Sequence, residues 1–126
     1  TDLLERMEEV RQPWSVSIPA QEAGIAALDE TGWRRKVKSY VAEQRIWLAG
    51  ELESMGCKVY PSSANYLLFY LDQELMESLK RKGILIRDCS NYQGLTKGYY
   101  RIAVKTEEEN RQLIDAIRDA LDKADL

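Results

Sequence analysis

The sequence contains no histidine. That removes the commonest general base and metal ligand, and with them the histidine-dependent nucleophile triads and the usual zinc sites. Only two cysteines occur, Cys57 and Cys89, too few for a disulfide framework or a zinc cluster of their own. Both are expected to be small core residues, a usage that fits a reducing cytoplasm. No apolar run approaches the roughly 18 residues that a membrane helix needs, so a membrane is not an expected partner. Basic residues do not dominate either: 18 Lys and Arg stand against 21 Asp and Glu, a net charge of −3. With no basic stripe interleaved with aromatics, nucleic acid is not an expected partner. The sequence also lacks a signal peptide and an initiating methionine, opening instead in the helical pattern TDLLERMEEVRQPWSVS. The expectation is a piece of something longer.

What is present suits one soluble domain. Apolar residues make up 44% and charged residues 31% of 126 residues, an ordinary globular balance at single-domain length. Leu3, Leu4, Met7 and Val10 fall at helical spacing, and Pro13 ends that helix. A second helix is predicted through about Leu28, with Pro19 in its first turn and Ala20, Ala23, Ala26 and Ala27 allowing close packing. Asp29 is the expected cap of the next, long helix, which runs from about Glu30 to Met55 and stops at Gly56. Its stripe includes Trp33, Val37, Val41, Trp47, Leu48 and Leu52.

Strand signals follow in KVYP and NYLLFYL, then a short helix expected to be capped by Asp72 and closed by Gly83. ILIRD and YYRIAV read as two more strands around the loop SNYQGLTKG. Thr106 and Glu109 form a capping box before a last helix striped by Leu113, Ile114, Ile117 and Leu121. Strands joined by short turns favour antiparallel pairing. The predicted fold is therefore α+β: a small antiparallel sheet of about four strands, covered by helices on one face, one of them long.

Two arginines stand out. Arg87 ends the strand ILIR and Arg101 opens YYRIAV, so an antiparallel pairing brings both guanidiniums to one end of the sheet. Each is a permanent cation with a planar fork that matches a carboxylate or phosphate. A plainer role is available, since strand arginines are often solvated or paired with a local carboxylate, and Asp88 is at hand. Trp14, Trp33 and Trp47 read as packing residues, Arg34, Arg35 and Lys36 as a solvated helix face, and Asn91 and Tyr92 as turn residues.

The segment GILIRDCSNYQGLTKGYYRIAVKTEEEN resembles the carboxy-terminal signature of the fold-type I pyridoxal-phosphate enzymes of the class I and II aminotransferase superfamily. QPWSVSIPAQEAG and PSSANYLLF resemble the same group, whose relevant branches are histidinol-phosphate aminotransferase and threonine-phosphate decarboxylase. The pattern "IRDC, aromatic, GL, G-Y-R-I-A-V" leans toward the decarboxylase branch, an enzyme of cobalamin synthesis. The resemblance implies that residues 1–126 are the small domain of a larger cytoplasmic, homodimeric enzyme, with 1–13 the end of a helix leading in from a large domain. It implies that Arg101 grips the substrate's α-carboxylate and that Arg87 helps bind its phosphate or other distal anion. Pyridoxal 5'-phosphate would be bound by the large domain, since neither Lys97 nor Lys105 falls in the family's Schiff-base motif. No catalytic, cofactor-binding or metal-binding residue is assigned within the chain, and the piece alone is expected to be inactive. From the residues themselves a free-standing metabolite-binding module, or an interaction domain without a ligand, stays open.

Overall fold

The computed structural model describes residues 2–11 and 15–122. Pro13 and Trp14 therefore lie outside the described residues. The chain divides within a helix into two compact units, residues 1–36 and 37–126.

The first unit holds α1 (Asp2–Val10), α2 (Ile18–Asp29) and the start of α3 (Thr31–Ser54). Ser17 caps α2, its hydroxyl accepting from the Ala20 N–H at 3.4 Å, and Pro19 sits in the first turn where no N–H is needed. Asp29 does not cap the long helix as expected. It is the last residue of α2, and Glu30 holds the junction, its carbonyl accepting from the Arg34 N–H. Neither α1 nor α2 buries a residue, and the alanines of α2 are exposed. Trp33, expected in packing, is 66% exposed.

The second unit holds the sheet and its core. The rest of α3 leads to β1 (Lys58–Val59), β2 (Tyr66–Tyr70), α4 (Met76–Arg81), β3 (Arg87–Asp88), β4 (Tyr99–Ala103) and α5 (Glu107–Asp122). The four strands form one antiparallel sheet in the order β1-β2-β4-β3. Alternation along β2 and β4 sends Leu67, Phe69, Tyr100 and Ile102 to one face, where Leu48 and Leu52 of α3, Leu79 of α4 and Leu113, Ile114 and Ile117 of α5 bury them. Each fully buried apolar side chain contributes about 1.5–3 kcal/mol. Cys57 and Cys89 are free and buried. The opposite face carries Tyr66, Leu68, Tyr70, Tyr99, Arg87 and Arg101, none of them fully buried.

Two helices stop in the same way. At the end of α3 the Gly56 N–H reaches Glu53 O and the Cys57 N–H reaches Leu52 O; after α4 the Gly83 N–H reaches Lys80 O and the Ile84 N–H reaches Leu79 O. Both glycines have positive φ, 83° and 74°, as this C-terminal motif requires. Asp72 does not cap α4. Glu74 does, its carboxylate accepting from the N–H groups of Met76 and Glu77 at 2.7 and 3.2 Å. The box at α5 forms as read, Thr106 and Glu109 each accepting from the other's backbone N–H at 3.3 Å. Trp47 packs as read, half-buried with the Arg111 guanidinium 5.1 Å from its ring centre.

Candidate functional site

β3 is two residues long rather than the five of ILIRD, and its pairing decides the site. Arg87 lies directly opposite Arg101, and Asp88 opposite Tyr100. Facing residues of a ladder hold their Cβ atoms about 4.5–5.5 Å apart on one face, and like charges so placed are destabilising. Asp88 is turned to the other face. Its carboxylate accepts from the Ser90 N–H at 2.8 Å, and that bond, with the Ser90 side chain and the nearby Arg87 charge, holds it below the usual carboxylate range. Among the described residues no carboxylate lies within 4 Å of either guanidinium.

Neutral groups hold the two cations instead. Arg87 donates from Nη2 to Asn91 Oδ1 at 3.1 Å and lies 5.6 Å from the ring centre of Tyr92. Arg101 lies 5.1 Å from the ring centre of Tyr66 on β2. Such contacts at partly exposed sites are worth about 0.5–1 kcal/mol each, and they leave charge unneutralised. Both arginines line a groove of about 540 Å³, with Tyr66, Leu85, Ala103 and Lys105 also on its walls. Lys105 is already paired with Glu109 at 2.7 Å, and this bond, with those from Thr106, draws the Glu109 carboxyl down to about 2. What remains is two adjacent guanidinium forks beside a groove, a fit for a small anion.

The sequence named both arginines and missed their supports. Asn91 and Tyr92 read as plain turn residues, yet they hold Arg87; Tyr66 sits in an ordinary aromatic strand, and only the β2–β4 register places it beneath Arg101. Cys89, next in sequence to Asp88, is pushed up by burial against the opposing pull of Arg101 and Arg87.

The family described as Aminotransferase class I and II matches residues 1–117. The chain belongs to that family. It is 39% identical over 125 residues to the histidinol-phosphate aminotransferase of Nitratidesulfovibrio vulgaris, covering 97% of this chain and 33% of the relative. It is 36% identical over 120 residues to the threonine-phosphate decarboxylase of Salmonella typhimurium, covering 92% of this chain and 33% of the relative. The crystal structure of the histidinol-phosphate aminotransferase from Clostridium acetobutylicum superposes with a TM-score of 0.79 at 25% identity, over 97% of this chain and 38% of that one. The domain is thus of the fold-type I pyridoxal-phosphate superfamily and closely related to both enzymes, while spanning about a third of the length of these curated relatives. Aminotransferases are slightly the more numerous and stronger of these matches, which favours the aminotransferase branch over the lean toward the decarboxylase taken from the IRDC pattern.

Pyridoxal phosphate needs a lysine amine as covalent anchor, and such amines are activated by desolvation or a neighbouring cation. Every described lysine of this chain is exposed, and the one in the groove, Lys105, is held by Glu109. The described residues do not supply the anchor.

Proposed function

We propose that this chain is the substrate-gripping small domain of a pyridoxal-phosphate-dependent aminotransferase for a small phosphorylated amine, of the histidinol-phosphate aminotransferase type. Residues 1–126 form that domain, α1 (Asp2–Val10) belongs to the segment that joins it to a cofactor-binding domain, and the assembled enzyme is a cytoplasmic homodimer. The cofactor, when bound, supplies the electron sink for chemistry at the substrate's Cα. The chain's own contribution is the grip: Arg101 and Arg87 together take the phosphate of the phosphorylated amine, its one anionic group, and Arg101 takes a carboxylate bidentately when the oxo-acid or amino-acid partner occupies the site. The observation that carries this reading is the direct facing of Arg87 and Arg101 with no carboxylate partner among the described residues. The identity to the Salmonella decarboxylase supports a second reading, in which the same grip holds threonine phosphate for loss of carbon dioxide.

Feeding histidinol phosphate with an oxo-acid acceptor, or threonine phosphate, to the protein expressed with its full coding sequence separates the two. An oxo product is expected from the first, and carbon dioxide from the second would reverse the choice. Arg101→Ala in that protein should lose about 1.5–3 kcal/mol of charge-assisted hydrogen bonding, about 10- to 150-fold in kcat/KM. Arg101→Lys should recover only part of it, because an ammonium lacks the fork. Unchanged kinetics in Arg101→Ala would remove the grip.

A further inference from the structure

The hydrogen-bonding parity of β4 leaves one of its rungs open. Toward β2, the Val104 N–H bonds Asn65 O at 2.8 Å and the Leu71 N–H bonds Gly98 O at 3.0 Å. With the register Leu67↔Ile102 and Phe69↔Tyr100, the even-numbered residues of β4 bond to β2, and Tyr99, Arg101 and Ala103 turn their N–H and C=O groups the other way. On that side Tyr99 is taken by the Cys89 N–H at 2.9 Å and Arg101 faces Arg87. Lys105, next in this series, is taken by a side chain: its N–H donates to Asn110 Oδ1 at 3.0 Å and its carbonyl accepts from Asn110 Nδ2 at 3.1 Å. The amide of Asn110 thus stands in for a strand at that point. It is fixed there by burial, 1% exposed, and by a 2.9 Å bond from Nδ2 to Gln44 Oε1 of α3.

Ala103 lies between these two satisfied rungs. Its opposite number by register is Leu85, but β3 ends at Arg87 and Leu85 is 80% exposed. Among the described residues, Ala103 has no hydrogen bond on this side. The groove runs along the gap, since Leu85, Arg87, Arg101 and Ala103 all line it. The guanidinium of Arg101 leans over Tyr66, the residue paired with Ala103 across β2, so it overhangs the same row.

We infer that the main-chain N–H of Ala103 is a third anion donor, acting with Arg101 and Arg87 on one phosphoryl or carboxylate oxygen set seated in the notch beyond the end of β3. This rests on the proposed anion grip and deepens it. Two forks and an in-plane N–H define a three-sided cradle that favours a tetrahedral anion over a planar one, and the Ala103 carbonyl on the same edge is left for a hydroxyl or ammonium of the ligand. Asn110 bounds the notch on the far side, because its amide occupies the N–H and C=O of Lys105.

The test is a titration of the full chain with inorganic phosphate, against formate as a planar anion, read by residue-level amide exchange and by amide proton shifts. At saturation the Ala103 amide should shift downfield and slow on the order of tenfold or more, the scale of one charge-assisted hydrogen bond. Ile102 and Val104, already bonded to β2, should not change, and formate should bind more weakly. Arg101→Ala and Arg87→Ala report separately on the grip. If those variants weaken phosphate binding while the Ala103 amide stays unmoved at saturation, the third donor is refuted and the grip survives. If neither variant affects phosphate binding, or no binding occurs, both fall.

Discussion

Phosphate should raise the thermal stability of this chain, and Arg101→Met should abolish that gain while leaving the bare fold as stable as before or more so. Arg87 and Arg101 face each other with only neutral partners. Two unit charges about 6 Å apart repel by about 3 kcal/mol at an effective dielectric of 20 and about 0.7 kcal/mol in bulk water. The Tyr66 contact returns about 0.5–1 kcal/mol to Arg101. Removing Arg101 therefore changes stability by between about zero and +2 kcal/mol. An anion bound a hundredfold above its Kd adds about 2.7 kcal/mol to the wild type. With unfolding entropy of about 2.1 cal/mol/K per residue, 1 kcal/mol is about 4 °C at this chain length, so saturating phosphate is worth about 10 °C. Calorimetry in phosphate against chloride at matched ionic strength is the assay, since screening alone weakens the repulsion in any salt. An equal phosphate gain in Arg101→Met, or a clear fall in its Tm without phosphate, would refute the account.

Two further outcomes test the scaffold. Gly98 closes the turn into β4 with φ +92°, and a Cβ there would stand 2.8 Å from Leu71 O and 2.8 Å from Tyr70 Cε2; Gly98→Ala should cost at least about 1–3 kcal/mol of backbone strain plus that clash. Gly94→Ala, at φ +84° with open space around it, should cost the strain alone, so denaturant midpoints of the pair isolate the clash. Glu109 has its carboxyl lowered from 4.5 to about 2 by bonds from Lys105 and Thr106. A depressed folded value means stability present above the unfolded value and lost as pH falls, so urea midpoints should drop between about pH 4.5 and about pH 2, and Glu109→Gln should flatten that fall.

Local rules carried most of the fold. The glycines at 56 and 83, the box at Thr106 and Glu109, and the apolar stripe of α5 each depend on neighbours within four or five residues, and all formed as read. The two expected acidic caps did not form: Asp29 is the last residue of α2, and the first N–H groups of α4 go to Glu74 and not to Asp72. Trp33 was misplaced because periodicity says which residues share a face, and only packing says whether that face is covered. ILIRD shortened because strand extent depends on a partner 14 residues on in the chain, and beyond Arg87 that partner's edge is left open. The arginines were legible because a permanent charge in an apolar strand is conspicuous. Tyr66, Asn91 and Tyr92 were not, because aromatic strand residues and polar loop residues are commonplace, and their role exists only in the register and in the fold of the loop.

The two faces of β4 are under different constraints. Tyr100 and Ile102 are committed to the core, at 4% and 3% exposure, and a change there is paid in stability. Tyr99, Arg101 and Ala103 alternate with them on the half-covered face, so a change there leaves the packing of the helices intact. Grip on an anion fixes where the substrate's Cα sits, and orientation selects which of its bonds is poised to break. Selecting a bond is not breaking it. A proton at Cα must have an acceptor, and among the described groove residues the titratable groups are two permanent cations, a tyrosine and a lysine–glutamate pair that already satisfies itself. The proposed grip is therefore compatible with loss of a proton or of carbon dioxide, and it fits a domain that is 39% identical to an aminotransferase and 36% identical to a decarboxylase.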